Sequence, residues 1–431
     1  MWRSALFLIV LGVPGAFLSA EALRLGAAET LALSPEISKL RLALSFDPDN
    51  ARIHRLLGSR LCRGEDSYLA EGIEHLRRAT QLSPKQALNW SALASACELS
   101  GDYGCADEAF QRTLALAPMV PLYEWGAANH YLLANRADEA LPHFQRLLKM
   151  DQGYDWQIFR VCVRAIGDPD VVFQKVVAPS DNTKFKLSYI NYLSSQGEID
   201  SANRAWATTM AHASPFPFDS AQPYLERLLV MGQGQQANEV WQDLEKFGAV
   251  KKPASESADN LVFNGDFEEL PLNGGLDWRN QNTPYLFVDF ADTNALRGKR
   301  CLRADFTFPS NKDYVAAFQF VPAAASKEYL LHAFARSQNI TSDSGPRLRV
   351  IDSSCPTCVD VLSDATVGTT AWHEISLRFS TGPNTQLLTL MVVRLRSRTF
   401  PMEISGSFWL DNVTLTPISP AARESSLTGA H

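Results

Sequence analysis

The chain has 431 residues, 46% of them hydrophobic and 20% charged, with a formal net charge of −7. That is enough apolar material for two domains, and the mild acidity, with no basic stripe, excludes phosphate-backbone binding and hence nucleic acid as a partner. Seven cysteines are too few for a disulfide scaffold, although export would let pairs form.

Met1-Trp2-Arg3 leads into an apolar run from Ala5 to Ala20, broken at Pro14-Gly15, and Ala20-Glu21-Ala22 offers small residues to a signal peptidase. The run predicts an export segment over 1–22. A cleaved signal and a retained anchor both stay open, because the run lies near the lower limit, about 17 residues, for spanning a bilayer, and a buried N-terminal helix of a cytosolic protein is the alternative to both. Arg3 favours a cytoplasmic leading end with the rest translocated, so the expected location is periplasmic, or anchored and facing outward. Membrane contact is expected through this segment alone.

Pro48, Pro84 and Pro118 then close successive pairs of amphipathic segments about one helical hairpin apart, the mark of a repeat protein. The clearest copy, 87–118, carries Trp90, Leu93 and Ala94, a turn at Ser100-Gly101-Asp102-Tyr103, then Ala106, Phe110 and Pro118. The copy at 121–152 has Ala127, Ala128, Tyr131, Ala140 and Phe144, but Glu124 where a bulky residue belongs and Gln152 in place of proline. The copy at 51–84 has Leu57, Gly58, Leu61, Gly72, Leu76 and Ala79, with about two extra residues around Arg63-Gly64-Glu65-Asp66. This pattern resembles the tetratricopeptide repeat. Three weaker helix pairs follow, punctuated at Gly167-Asp168-Pro169, Gln196-Gly197, Ser214-Pro215 and Gly232-Gln233-Gly234, and the helical array is expected over 30–248.

The resemblance implies a concave groove lined by the first helix of each repeat. Its groove positions are Arg52, Arg55 and Ser59, then Leu88, Ser91 and Ser95, then Trp125 and Asn129. Arg55 and Asn129 would hold a peptide carboxylate or backbone and Trp125 would anchor an apolar side chain, which makes an envelope protein the expected partner. Ordinary surface exposure is the alternative for each residue.

A polar linker is expected at 249–259, and beyond it the period changes to alternation. Strand-like runs at Tyr285–Phe290, Tyr314–Val321, Tyr329–Arg336, Arg347–Ile351, His373–Phe379, Leu387–Leu395 and Ser407–Leu415 predict an antiparallel β-sandwich over 260–417, ahead of a disordered tail at 418–431. Asn260-Leu-Val-Phe-Asn-Gly-Asp-Phe-Glu268, with Gly274-Gly275, Trp278 and the closing Phe408-Trp-Leu-Asp-Asn-Val-Thr-Leu415, resembles the ends of galactose-binding-like jelly rolls and of carbohydrate-binding modules. That resemblance implies a structural Ca²⁺ held by Glu268 and Asp411; the alternative is that both carboxylates satisfy backbone donors. It also implies a polysaccharide ligand. Trp278 and Tyr285 are candidate platforms for a sugar ring, with packing in the core as the alternative for each. Arg394 and Arg396 on one strand face, with Arg398 beyond them and Arg347 and Arg349 alternating on another strand, would suit an anionic glycan. A solvated face that discourages edge pairing is the alternative.

Cys355-Pro-Thr-Cys358 reads as a local disulfide or two reduced thiols, and Cys97 and Cys105 flank one repeat turn and could bridge. No phosphate loop, metal-ligand cluster or nucleophile elbow is present in the sequence, and the two modules fill the chain, so no enzyme activity is expected. The fold class is an α-helical tetratricopeptide-type solenoid followed by a β-sandwich. The expected function is a non-enzymatic exported scaffold of the cell envelope, acting in surface polysaccharide assembly or export. The alternative is a non-catalytic accessory subunit or degenerate enzyme of carbohydrate processing.

Overall fold

The computed structural model describes residues 2–64, 68–150, 153, 155–253, 259–352 and 354–418, with the backbone alone at 2–16 and 291. Helices fill the first part of the chain and two antiparallel sheets the last, so a helical solenoid precedes a β-sandwich, as the periodicity predicts. The chain divides into two compact units, Met1–Ser180 and Asp181–His431.

In the first unit, α1 (Trp2–Leu31) and α2 (Ile37–Phe46) form a hairpin, followed by α3 (Ala51–Leu61) with α4 (Leu69–Leu82), α5 (Ala87–Leu99) with α6 (Tyr103–Leu116), and α7 (Pro121–Leu133) with α8 (Ala137–Lys149). Next come α9 (Asp155–Ile166) and the short α10 (Pro169–Val172), which runs into a π-helical turn at Phe173–Val177. Asn50 and Asp102 cap α3 and α6, each accepting a backbone N–H three residues on. Helices α3 and α4 touch backbone to backbone. A methyl group at Gly58 would lie 2.6 Å from the Gly72 carbonyl oxygen, and one at Gly72 2.5 Å from Cys62 Sγ. Ala94 and Ala106, then Ala128 and Ala140, take these places in the later hairpins and are fully buried. The turn residues at 65–67 lie outside the described residues.

The bulky position of the repeat is filled three ways. Trp90 Nε1 donates to the Pro84 carbonyl at 2.8 Å, and His54 Nε2 donates to the equivalent Pro48 carbonyl at 2.9 Å. That bond fixes the His54 tautomer, so its Nδ1 accepts from His75 Nδ1 at 2.9 Å. Glu124 is buried, with one carboxylate oxygen 2.6 Å from His143 Nδ1 and the other 2.7 Å from Arg146 Nε. Next to it, fully buried His130 meets Glu98 at 3.0 Å and Asp107 at 2.9 Å through its two ring nitrogens.

α1 runs unbroken through Ala20–Ala22, and its end packs Ala28 and Ala32 against Leu40, Ala43 and Ile53. Thus the segment expected at 1–22 is continuous with the first hairpin. No helix among the described residues is long and apolar enough to cross a membrane. The side chains of residues 1–16, on which the anchor reading depends, lie outside the described residues.

The second unit begins with helices. α11 (Thr183–Gln196), α12 (Ile199–Met210), α13 (Gln222–Val230) and α14 (Gly234–Lys246) bury Tyr189, Trp206, Tyr224 and Trp241. Ten strands follow: β1 (Arg279–Asn280), β2 (Leu286–Asp292), β3 (Cys301–Ser310), β4 (Tyr314–Pro322), β5 (Glu328–Ile340), β6 (Arg347–Asp352), β7 (Asp360–Leu362), β8 (Gly368–Ser380), β9 (Leu387–Arg394) and β10 (Ile404–Pro417). They form two antiparallel five-stranded sheets, ordered β1-β4-β9-β6-β7 and β2-β3-β10-β5-β8. Leu302, Ala304, Phe306, Leu331, Leu348, Leu390 and Phe408 lie in the core between them.

The linker expected at 249–259 does not divide the units; its residues 254–258 lie outside the described residues. The helices on its N-terminal side belong with the sandwich. Trp241 packs edge-on against Phe263 with ring centroids 5.0 Å apart, and Gly275, at φ +59°, leaves room for the indole, which a methyl group would meet at 2.3 Å. Glu226 on α13 accepts from the Gly275 N–H and from Arg279 Nη2, both at 2.7 Å. The tail expected from 418 lies, beyond Ile418, outside the described residues.

Candidate binding sites

In the helical unit the groove positions separate. Arg55 and Ser59 of α3 line a concave site of about 310 Å³ together with Arg60 and Arg63. Its floor is Leu40 and Leu56, and its far wall is the α1–α2 turn. No acidic side chain lines it among the described residues, and none of the three guanidinium groups has an ion-pair partner there. Burial, with the neighbouring Arg52 charge, lowers the Arg55 pKa. Arg52 itself is committed to Glu29. Trp125 and Asn129 do not line this site. Trp125 is half-buried and meets the Phe144 ring edge-on at 6.0 Å, while Asn129 is half-buried elsewhere on α7.

The arginine face expected on the sandwich is corrected. β9 is buried along both faces, so its alternation does not separate a wet side from a dry one. Arg394 is 1% exposed. Its Nη1 donates to the Lys312 carbonyl at 2.7 Å, Nη2 to the Met402 carbonyl at 2.7 Å and Nε to the Ser344 carbonyl at 3.2 Å. It therefore ties three loops together and offers nothing to a ligand. Arg396 is exposed but pairs with Asp313 at 3.3 Å, and Arg349 makes two bonds to Asp360 at 2.8 and 2.7 Å. Trp278 follows its core alternative and is no platform: it is fully buried against Phe267 and donates to the Asn264 carbonyl at 3.1 Å. Tyr285 alone of the two aromatic candidates reaches the surface, half-buried, with Lys312 Nζ 4.2 Å from its ring centre and exposed Phe308 edge-on.

Glu268 and Asp411 both reach the loop 296–300, each accepting from backbone donors there. Asp411 Oδ2 accepts the Leu296 and Arg297 N–H groups at 2.8 and 3.1 Å, and its Oδ1 accepts from Asn412 at 2.7 Å. Glu268 Oε1 accepts from Lys299 at 2.6 Å and from Arg300 at 3.0 Å. The loop 296–300 is thus held by a carboxylate from each end of the domain. Burial raises the Asp411 pKa, against the pull of these three donors. Donors pointing at both carboxylates do not fit a calcium ion between them, and no group of three or more acidic, histidine or cysteine side chains among the described residues could hold a metal. Here the alternative reading, satisfaction of backbone donors, describes the geometry.

Both cysteine pairs close as disulfides, Cys97–Cys105 and Cys355–Cys358, with Cα separations of 5.7 and 5.3 Å. The Arg60 and Arg63 contribution was not read from sequence. Arg60 carries no periodic signal, since residues one or five positions apart do not share a helix face, and the position of Arg63 depends on how the chain leaves α3.

No protein-family model matches the chain, and no curated protein matches it. Among solved structures, TTC0263, a thermophilic TPR protein of Thermus thermophilus, is similar at 21% identity over 31% of this chain and 72% of that one, with a TM-score of 0.28. A MamA structure matches at 14% identity over 44% of this chain and 91% of its own, with a TM-score of 0.30. A CBM4 structure matches at 14% identity over 36% of this chain and 99% of its own, with a TM-score of 0.26.

Proposed function

We propose that this chain is a non-enzymatic, exported scaffold of the cell envelope, which docks an acidic segment of a protein partner on its helical repeats and engages a glycan through its sandwich unit, in the service of surface polysaccharide assembly or export. The observation that carries the docking half is the cluster of Arg55, Arg60 and Arg63 around an apolar-floored concavity with no acid on its described walls. Three cations gathered without counter-charges among the described residues repel one another, and a carboxylate-bearing ligand relieves that repulsion through charge-assisted, two-pronged hydrogen bonds. Ser34 and Ser59 add hydroxyls at the rim, and Leu40 and Leu56 offer contact to an apolar neighbour of the acidic group. Support for export comes from the apolar leading run and from two close-spaced disulfides, which persist in oxidising compartments.

The test is fluorescence anisotropy of the full chain with short labelled peptides ending in acidic residues, compared with their C-terminal amides and with basic peptides. Saturable, salt-sensitive binding of acidic peptides, weakened roughly tenfold in Arg55→Ala and Arg63→Ala, is expected. Equal binding of acidic and basic peptides, or no binding, sinks the docking half of the reading.

A further inference from the structure

A concavity of the second unit, about 880 Å³, lies where the start of α14 faces the loops that join the strands. Its walls are fixed by close backbone approach. A methyl group at Gly234, the first residue of α14, would fall 2.0 Å from the Gln386 carbonyl oxygen, so only glycine lets the helix sit this close to the β8–β9 loop. That same carbonyl accepts from the Ala323 N–H at 3.0 Å, and the Tyr329 hydroxyl accepts from the Ala324 N–H at 2.9 Å. The opposite wall, Ala323–Lys327, is thereby held before any ligand arrives.

Three amide side chains, Gln235, Asn238 and Gln386, border this space. The Asn238 and Gln386 amides have no hydrogen-bond partner among the described residues, and Gln235 reaches only Glu239, at 3.5 Å. One carboxylate, Asp259, and one ammonium, Lys327, complete the polar rim, again without partners among the described residues. Beneath them Leu261, Pro322 and Pro417 supply an apolar floor.

This set of groups selects a chemistry. Each amide presents a donor and an acceptor side by side, the pattern that adjacent hydroxyl groups complement, since a hydroxyl both gives and takes a hydrogen bond. The two charges cancel, so the rim has no net attraction for a polyanion. An extended peptide would need a free strand edge. Of the strands that end here, β5 and β9 are paired on both sides, β10 beyond Leu410 is bonded by the backbone at Leu261 and Gly265, and β4 brings to the lining Pro322, which has no N–H to give a ladder. The volume falls within the range of ordinary ligand sites, roughly 300–1,000 Å³.

We infer that this seam between α14 and the sandwich binds a neutral oligosaccharide, with the amides of Asn238 and Gln386 reading its hydroxyls and Asp259 and Lys327 closing the rim. The inference rests on the glycan half of the proposed function and moves its site away from the strand faces. Pro322 and Leu261 also line a smaller neighbouring hollow that includes Trp241, so occupation of the seam is expected to alter tryptophan emission.

The experiment screens the full chain on an array of neutral and acidic oligosaccharides, then titrates the best neutral binder calorimetrically into wild type, Asn238→Ala, Gln386→Ala and Tyr285→Ala. The two amides are surface groups without partners among the described residues, so these variants should melt with wild type. Binding that weakens at least roughly tenfold in both amide variants and survives Tyr285→Ala is the expected result. Binding that survives both amide variants and disappears with Tyr285→Ala overturns the seam and leaves the glycan reading in place. Binding of acidic polymers alone overturns the neutral-ligand assignment. A folded chain that binds no glycan overturns the seam and the glycan reading together.

Discussion

Glu124 and His143 lie 2.6 Å apart at the pair of repeat positions that Trp90 and Ala109 occupy in the preceding hairpin. One hairpin fills the space with a large and a small apolar residue, the next with two polar residues that bond each other. Both solutions satisfy the same volume, but the polar one is unforgiving when halved. Glu124→Ala leaves His143 and the Arg146 guanidinium without their carboxylate and is expected to cost about 3–5 kcal/mol. The double replacement Glu124→Trp with His143→Ala copies the neighbour and is expected to recover most of that loss. Chemical denaturation of wild type and the two variants checks both statements.

Asp277 gives the second unit a pH dependence of its own. Burial pushes its carboxyl up to about 6, although it accepts N–H groups from Leu272 at 2.8 Å and Trp278 at 2.7 Å. A carboxyl raised in the folded state binds its proton more tightly there than in the unfolded chain. Stability is therefore greatest below the unfolded value near 4 and falls as pH rises towards 6, by roughly 2–3 kcal/mol. Asp277→Asn should flatten this slope, whatever its effect on the absolute stability. Denaturation midpoints taken between pH 4 and pH 7 would contradict the assignment if both proteins gave the same slope.

Because Glu268 and Asp411 are engaged by backbone N–H groups, calcium and chelators are both expected to leave the melting temperature unchanged, since a ligand that binds only the native state must shift it. Removing the carboxylate is a different matter. Asp411→Ala strands the Leu296, Arg297 and Asn412 donors and should lower stability by about 2–4 kcal/mol. Calorimetric melting in calcium and in chelator, with wild type and the variant, reads both effects.

Arg394→Ser is expected to lower the melting temperature strongly, because three carbonyl acceptors lose their shared donor, while Arg396→Ser should fall within about 0.5 kcal/mol of wild type. Arg394→Lys should not rescue, as an ammonium cannot reproduce the planar fork that reaches Lys312, Ser344 and Met402 together. Equal melting of the Ser variants at the two positions would argue against the clamp.

A fragment covering 181–431 should unfold cooperatively. A fragment covering 260–431 lacks Trp241 and Glu226, uncovers Phe263 and Gly275, and should be less stable by at least the cost of deleting a buried tryptophan, about 3–5 kcal/mol. Urea melts of the two fragments decide where the autonomous unit begins.

Much of the helical unit was legible because each claim depended on local spacing. Gly58 and Gly72, or Ala94 and Ala106, fall at the helix crossing whatever surrounds them, and the prolines that close each pair punctuate the chain directly. The sandwich was legible as strands but not as a sheet order. Alternation along Leu387–Leu395 does not reveal that both faces of the strand are covered, so Arg394 reads as solvent-facing when the loops at Lys312, Ser344 and Met402 enclose it. β3 carries the strand pattern, with Leu302, Ala304 and Phe306 alternating with Arg303 and Asp305, and only Pro309 near its end argues against a strand. The seam was illegible for a stronger reason: Asn238 and Gln386 come from a helix and a loop far apart in the chain, and only the Gly234 contact brings them to one space.

The position of β10 carries a consequence for how the protein is made. This strand pairs with β3 on one side and β5 on the other, and its Leu415 and Val413 also bond the backbone at Leu261 and Gly265. It is translated after every strand it joins. Until Ile404–Pro417 has left the ribosome, the sheet exists as two halves with a vacant lane between them, each half showing an unpaired edge to any neighbouring nascent chain. Completion of the sandwich is therefore a late, single insertion, and a truncation ahead of Ile404 should yield aggregates in place of a smaller domain.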